Sequence, residues 1–301
     1  MILLEYILFP GLIFTLILAF TVSWIDRKVS ALIQWRVGPP LLQSVYDFLK
    51  LMKKETVIPA NANRFIFLLA PVISFSSLIL VSMILVKGVL SQSGFVGDVI
   101  AIIYLLMIPS FAIIMGGAAS ANPLASIGAS REMKMAISYE LPLILAVCVV
   151  FIKIGGAVGI GEILEHQAGN GIVAGSLSGC IAFIVTLLCL QSKMGQVPFD
   201  LPEAEQEIMG GAIIEYTGPP LGLFVVSRWI LMGLLPLFMV ILFLGGIGSP
   251  AGILKYVGVL VLVILIKNTN PRLRINQTLR FFWGPVTMVS FLAVLLAYIG
   301  L

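Results

Sequence analysis

Five carboxylates lie close together in the stretch QVPFDLPEAEQEIMGGAIIEYTGPP, residues 196–220, which contains no Lys or Arg. They are Asp200, Glu203, Glu205, Glu207 and Glu215. On a helix, Glu203 and Glu207 are four positions apart on one face, where like charges repel. Beside a low-dielectric wall this repulsion raises the pKa of carboxyl groups, so that some exchange protons near neutral pH. That chemistry suits a proton relay, while spacing alone leaves open a solvated acidic loop or a docking surface for a basic partner.

Glu140 is a further carboxylate, and it lies in REMKMAISYELP, residues 131–142, about two turns inside the apolar run of the predicted fourth span. An ionisable group inside a membrane is costly and marks a functional site by default. The alternative is a structural ion pair, for example with Lys134 or with Arg228, which also falls within an apolar run. Glu140, Glu215 and the carboxylates at 203–207 are together predicted to form a chain from mid-membrane to the membrane edge.

The composition predicts the environment that these carboxylates occupy. Hydrophobic residues make up 60% of the 301 positions and charged residues 11%, and the mean hydropathy is +1.12. A soluble domain is closer to half apolar and a quarter charged. The apolar runs are long and continuous, which favours helices over a closed barrel. We therefore predict an all-α integral membrane protein in which residues 1–301 form one membrane domain and the first apolar segment is a retained helix.

Eight transmembrane helices of roughly 20 residues are predicted from the apolar runs. They lie near 4–24, 66–86, 98–118, 133–152, 172–191, 221–244, 252–268 and 279–299. The sequence GPP at 218–220 removes two backbone donors and ends a helix. A short acidic helix over 203–217, within the segment 198–217, is therefore predicted before the sixth span.

An amphipathic helix is predicted at 41–54, LLQSVYDFLKLMKK. Its apolar residues fall on one helical face and Ser44, Asp47 and Lys50 fall on the other, which is typical of a helix lying in the membrane interface. Packing against a partner protein would give the same pattern. The apolar face consists of Leu41, Leu42, Val45, Phe48, Leu49 and Met52.

The basic residues predict the orientation of the bundle. Fourteen of the 18 Lys and Arg residues fall in the connections 25–65, 119–134, 192–208 and 267–280. The positive-inside rule makes these connections cytoplasmic and places both termini outside the cell membrane. The acidic stretch is then cytoplasmic, and the net charge of +4 needs no nucleic-acid partner.

Cofactor chemistry has few candidate ligands in this sequence. The three cysteines lie in apolar runs without a second Cys at ligand spacing, which is typical of buried apolar side chains. A single His, His166, does not supply a bis-His haem, and there is no CxxC for an iron–sulfur cluster. We expect the chain to bind no metal or redox cofactor and to lack catalytic residues of its own.

The motifs taken together resemble subunit 1 of complex I, the membrane subunit that joins the peripheral redox arm to the ion-pumping arm. The resemblance rests on PFDLPEAEQE…GG…EYTG at 198–218, ISYELPL at 137–143, the segment 34–55 and NPRLRINQTLRFFW at 270–283. The short GPP after QWRV and the run PEAEQE resemble the branch of membrane-bound NiFe hydrogenases, hydrogenlyases and sulfur-reducing complexes. Two positions differ from complex I: Arg228 stands where complex I has a Glu in the sixth span, and SKMGQVPFD stands where complex I has a pattern AE-x-N-R-x-PFD that contains a basic residue. The resemblance therefore does not imply the quinone site of complex I or its complete proton route for this chain.

The resemblance implies a coupling subunit in a multi-subunit oxidoreductase, with NiFe and iron–sulfur clusters in hydrophilic cytoplasmic partners and antiporter-like subunits beside it in the membrane. Glu140 and the carboxylates at 200–215 match the charge relay of the family. Arg36, Asp47 and Lys50 match the first cytoplasmic loop, which contacts the peripheral arm. The terminal acceptor and the pumped ion stay open.

Three other functions remain as alternatives. One is a quinone-site subunit of a complex I-like dehydrogenase, and another is a passive anchor for the hydrophilic module. A third is a stand-alone ion transporter, for which repeated broken helices would be typical. The sequence GPP does occur twice, at 38–40 and 218–220, but the surrounding residues do not match.

Overall fold

The computed structural model describes residues 6–91, 97–203 and 205–301, without the side chains of 91, 203, 205 and 206. Within these residues the chain is helical and contains no β-strand. The longer helices of the described ranges are α1 (Leu12–Ile33), α2 (Gln43–Lys53), α3 (Arg64–Ser91), α4 (Asp98–Ala119), α5 (Pro123–Lys153), α6 (Ile160–Asn170), α7 (Leu177–Lys193), α8 (Gly218–Phe243), α9 (Pro250–Thr269) and α10 (Ile275–Ile299). Helix α10 contains a π-helical turn at Phe282–Val286.

Six of the described helices are long and apolar enough to cross a membrane, namely α3, α4, α5, α8, α9 and α10. Helix α1 has 22 residues but carries Asp26, Arg27 and Lys28 in its second half. Helix α7 is apolar and has 17 residues. The chain is therefore an all-helical membrane protein with six clear candidate spans, and the full count of eight stays a prediction.

Helix α8 lies at the centre of the bundle. It packs against α1, α3, α7 and α9, and every residue from Ile230 to Phe243 is buried. This run consists mainly of Leu, Ile, Phe and Met, so the helix is hydrophobic on every face. Such a helix is buried on all sides. Arg228 precedes the buried run, about three turns from the start of the helix.

Helix α5 is the longest element, with 31 residues. At about 1.5 Å per residue it extends about 46 Å, well beyond a hydrocarbon core of about 30 Å. It begins at Pro123 rather than near residue 133, because Asn122 caps it by accepting a hydrogen bond from the Leu124 amide at 2.8 Å. The first turns of α5 therefore reach beyond the predicted span and carry Gly128, Arg131 and Glu132.

The acidic segment, residues 198–217, is not the single helix that the sequence predicts. It forms short turns at Leu201–Glu203, Glu205–Ile208 and Gly211–Ile213, with left-handed backbone at Met209 and Gly210. The sequence GPP at 218–220 begins α8 instead of ending a preceding helix. Proline is well tolerated in the first helical turn, where its missing N–H has no partner to lose.

One glycine lets the acidic segment press against α5, and a second lets the segment pack on itself. A Cβ on Gly128 would lie 2.3 Å from the Ala212 nitrogen, and a Cβ on Gly211 would lie 1.8 Å from the Pro202 carbonyl oxygen. Gly211 also has a φ of +59°, which favours glycine. The acidic segment is thus held by backbone-to-backbone contact on the face of α5 that bears the charged residues.

The substitution Gly128→Ala is expected to destabilise the protein by about 1–3 kcal/mol, since the atoms that a new Cβ meets are backbone atoms with nowhere to move. Gly258→Ala in α9 is the matched control, because nothing lies within 4 Å of its Cβ position and alanine favours helix. Thermal unfolding of the purified complex measures both. Equal melting temperatures for the two variants would contradict the close packing of the acidic segment.

Candidate functional site

Glu140 forms a buried ion pair with Lys193, the last residue of α7. The Lys193 Nζ lies 3.3 Å from Glu140 Oε2, and the two side chains are 1% and 12% exposed. The ammonium group also lies 5.3 Å from the centre of the Tyr139 ring, within the range of a cation–π contact. The partner of Glu140 is therefore Lys193, whereas Lys134 is exposed on the outer surface of α5.

Glu132 is a second α5 carboxylate that belongs to the same site. The Ser110 hydroxyl hydrogen-bonds its carboxylate, and the charges of Arg228 and Lys193 act on it. Ser110 Oγ is 3.3 Å from the Tyr139 hydroxyl, so a hydrogen-bonded path runs from Tyr139 through Ser110 to Glu132. We call Glu132, Glu140, Lys193 and Arg228 the charge cluster.

Sequence reasoning missed Glu132 and the role of Lys193. Glu132, Tyr139 and Glu140 are separated by seven and eight positions, which places them on one face of a helix. That signal was available, but Glu132 falls before the predicted span, in a connection that the sequence assigns to the cytoplasm. Lys193 lies at the end of a span and has no nearby acidic residue in the sequence, so only the packing of α5 on α7 reveals the pair.

Two small cavities meet at Ser110. One has a volume of about 30 Å³ and is lined by charged residues that include Glu132, Lys193, Asp200 and Arg228. The other, of about 10 Å³, borders Ser110, Tyr139 and Glu140. A polar space of this size accommodates a water molecule. Three members of the charge cluster, Glu132, Lys193 and Arg228, therefore border the same small cavity as Asp200 of the acidic segment, and Glu140 borders the second.

The carboxylates of the acidic segment that are described each have a partner on another element. Asp200 pairs with Arg272 at 2.7 Å, and its second oxygen is buried without a partner among the described residues. Arg131 of α5 donates to Glu207, and Asn122 donates to Glu215. Glu203 and Glu205 have side chains outside the described residues. The structure does not bring Glu140 into direct contact with Asp200, Glu207 or Glu215, and Glu132, Lys193 and Arg228 border the cavity beside Asp200.

Asn122 has two roles, since it caps α5 and donates to Glu215. Asn122→Ala removes both and is expected to cost about 1–2 kcal/mol of stability, of which the cap accounts for about 1 kcal/mol. Asn122→Asp keeps the capping oxygen but places a second carboxylate against Glu215. Thermal unfolding of the purified complex should therefore rank the wild type highest and both variants lower, with the deficit of Asn122→Asp shrinking at acidic pH. A pH-independent deficit would argue against the Glu215 contact.

The first basic connection forms a separate cluster at the end of α1. Asp47 of α2 pairs with Arg27 at 2.7 Å and accepts a hydrogen bond from Gln43 at 2.9 Å. Burial acts to raise the pKa of Asp47, but these hydrogen bonds and the Arg27 charge outweigh it, so the pKa is lowered from its usual value. The contribution of the pair to stability is present at neutral pH and is lost as pH falls through that lowered pKa.

Arg36 and Lys50 differ from Asp47 because both are exposed to solvent. Helix α2 packs on α8 through Phe48, Leu51 and Met52, which lie around Gly222. Leu41, Leu42 and Leu49, which the sequence assigns to the apolar face, remain about half exposed. Trp35 and Val37 are almost fully exposed. This end of the molecule therefore presents exposed apolar and basic side chains together.

A resident metal has no evident ligand set. Among the described residues no group of three or more His, Cys, Asp or Glu side chains is placed to hold a metal ion. The cysteines are all free thiols, and Cys189 is fully buried.

Comparison with known proteins decides the family. The NADH dehydrogenase family matches residues 6–298 of the chain. The chain belongs to this family. Two relatives are each 34% identical. One is a component of the NADH-quinone oxidoreductase of Thermomicrobium roseum, with 90% of this chain and 88% of the relative covered. The other is NADH-ubiquinone oxidoreductase chain 1 of Dictyostelium citrinum, with 92% and 86% covered.

A solved structure with a similar fold comes from the membrane-bound sulfane sulfur reductase, an archaeal respiratory membrane complex. The TM-score is 0.86 at 28% identity, with 95% of this chain and 96% of the other chain covered. The expected kinship with complex I subunit 1 and with sulfur-reducing relatives is thus confirmed. This member of the NADH dehydrogenase family is a membrane subunit of a complex I-like respiratory complex.

Proposed function

We propose that this chain couples electron transfer in a peripheral redox module to the movement of H⁺ or Na⁺ across the membrane. The observation that supports the proposal is the charge cluster, because four ionisable side chains at the membrane level are costly and are retained where charge must move. The buried pair of Glu140 and Lys193 at 3.3 Å is its centre. A passive anchor has no use for such a pair.

The proposed relay runs from the acidic segment into the bundle. Electron transfer changes a charge or a loop at the cytoplasmic face, which alters the protonation of the carboxylates between Asp200 and Glu215, with Glu203 and Glu205 included on sequence grounds. The change passes through Glu132 and Arg228 to Lys193 and Glu140. Along α5, Glu132 and Glu140 are eight residues or about 12 Å apart, so Lys193, hydroxyl groups such as Ser110 and water in the adjoining cavities would connect them.

The proposed topology has eight spans, with α1 and α7 added to the six clear candidates. The basic connections then lie in the cytoplasm of a cell with this chain in its plasma membrane, and both termini lie outside. Two of the three charges at the end of α1 are paired within the protein, since Lys267 of α9 pairs with Asp26 at 2.8 Å and Arg27 pairs with Asp47. Such pairing lets a helix with three charged residues lie at the membrane edge.

The proposed partners follow from the same orientation. Arg36, Asp47 and Lys50 would contact hydrophilic subunits that hold NiFe and iron–sulfur clusters, and the exposed Trp35 and Val37 add apolar area to that surface. Antiporter-like membrane subunits would receive the signal from Glu140 and move the ion. This chain then binds no redox cofactor and is a non-catalytic subunit of an oxidoreductase.

Isolation of the intact complex in mild detergent tests the proposal, with its subunits identified by mass spectrometry and its metals by elemental analysis. Partners with bound nickel and iron–sulfur clusters are expected for the hydrogenase branch. A related large subunit without nickel points to sulfur reduction or to quinone reduction, which the names of the two relatives favour. Migration of the chain alone, with net ion flux in liposomes, would replace coupling with a stand-alone transporter.

A further inference from the structure

A groove on the outer surface of the bundle lies apart from the charge cluster. It has a volume of about 540 Å³ and is lined by Lys134 and Ile137 of α5 and by Leu279, Arg280 and Trp283 of α10. Volumes of this order are typical of sites that hold a whole small molecule. Helices α5 and α10 pack directly against each other and form the floor of the groove.

The two cations of the groove are available to a ligand. Lys134 and Arg280 are both exposed, and neither side chain has a hydrogen bond or an ion pair with any residue that the structure describes. The other lining residues are apolar or aromatic. The groove surface is almost wholly apolar, so Lys134 and Arg280 line it with their hydrocarbon stems and place their charged ends at its edge. This arrangement complements a molecule with an anionic group and a hydrocarbon part.

The groove lies at the position along the bundle where lipid headgroups are expected. Trp283 is 65% exposed at the start of the apolar part of α10, where interfacial Trp residues mark the boundary between headgroups and acyl chains. Below Lys134, the residues Ile137 and Leu141 lie on the same face of α5 and are 57% and 50% exposed. These exposed apolar side chains form a surface next to Lys134 along which an acyl chain can lie.

We propose that this groove binds one anionic phospholipid, with the phosphate held between Lys134 and Arg280 and an acyl chain lying along Ile137 and Leu141. Basic pockets between transmembrane helices on the cytoplasmic side are known to suit anionic headgroups, with about a fivefold gain in affinity for each Lys or Arg. The Trp283 ring closes the side of the groove at headgroup level. The occupant is a lipid rather than free phosphate because most of the lining is apolar.

Photolabelling of the delipidated complex in phosphatidylcholine nanodiscs tests this assignment. Phosphatidylglycerol with a photoreactive acyl chain is expected to label peptides around Ile137–Leu141 and Leu279–Trp283, more strongly than phosphatidylcholine with the same chain. The double variant Lys134→Gln, Arg280→Gln is expected to lower this labelling by roughly thirtyfold. Arg274→Gln is the matched control, since it removes an exposed cation from the same connection outside the groove.

Three results would overturn the proposal: equal labelling by the two lipids, unchanged labelling in the double variant, or labelling replaced by cross-links to a helix of another protein of the complex. Displacement of the label by inorganic phosphate alone would assign the cations to a free anion and would likewise overturn it. If the double variant does not assemble, the comparison of the two lipids on the wild-type complex decides the question.

Discussion

Glu140→Gln is expected to lower the rate of ion translocation by roughly tenfold or more, while redox turnover in uncoupled membranes stays near the wild-type rate. The amide has almost the shape of the carboxylate and keeps an oxygen that can accept a hydrogen bond from Lys193 at 3.3 Å. It does not exchange a proton. Because the redox chemistry takes place in other subunits, the variant separates the relay from electron transfer.

The measurement pairs acceptor reduction with ion uptake in inverted vesicles from cells that carry each variant. Glu165→Gln serves as the control, since this exposed carboxylate lies on α6, outside the charge cluster and the acidic segment. Wild-type ion uptake by the Glu140→Gln complex would contradict the proposed relay. Loss of redox turnover in the presence of an uncoupler would instead indicate a structural role for Glu140.

Lys193→Met is expected to destabilise the complex by about 3–5 kcal/mol, the range for a buried ion pair that loses one partner. The Lys193 side chain is 1% exposed, so little water is available to solvate Glu140 once the ammonium group is gone. Methionine has a similar length and fills the space, which limits the cavity contribution. The thermal unfolding temperature of the purified complex is the measurement.

A double-mutant cycle identifies the cause of that loss. If the cost comes from an unpaired carboxylate, Glu140→Gln added to Lys193→Met should recover most of the stability, because no buried charge is left alone. If the double variant is as unstable as Lys193→Met, the loss arises from packing around Tyr139 and Cys189 rather than from charge. Lys153→Met, near the end of α5, provides a lysine control that is not part of the cluster.

The sequence predicts the helices of this protein better than it predicts the contacts between them. Continuous apolar runs predict α3, α4, α8, α9 and α10 closely, because the length needed to cross a bilayer constrains each of them. Glu140 is predicted as a buried carboxylate for the same reason. Its partner Lys193 is 53 residues away, and no local pattern records which helix packs on α5.

The acidic segment differs from the helix that its sequence predicts. Its residues favour a helix between Asp200 and GPP, yet the backbone there has positive φ at Met209, Gly210 and Gly211 and packs closely on Gly128 of α5. The start of α5 is missed because an Asn-Pro cap within a polar connection is a weak signal beside an apolar run. Tertiary packing overrides the local preference in the acidic segment, whereas the start of α5 depends on a local cap, and Glu132 is lost from the prediction because it lies in those first turns of α5.

The balance of charge in the cluster determines how it responds to membrane voltage. With all four groups ionised, the two carboxylates and two cations sum to zero, so a transmembrane potential acts on the cluster only through its dipole. Gain or loss of one proton leaves a unit charge, which a potential of 100 mV drives with up to about 2.3 kcal/mol, scaled by the fraction of the field crossed. A cluster with all four groups ionised is therefore nearly insensitive to voltage, whereas a cluster that has gained or lost one proton is not.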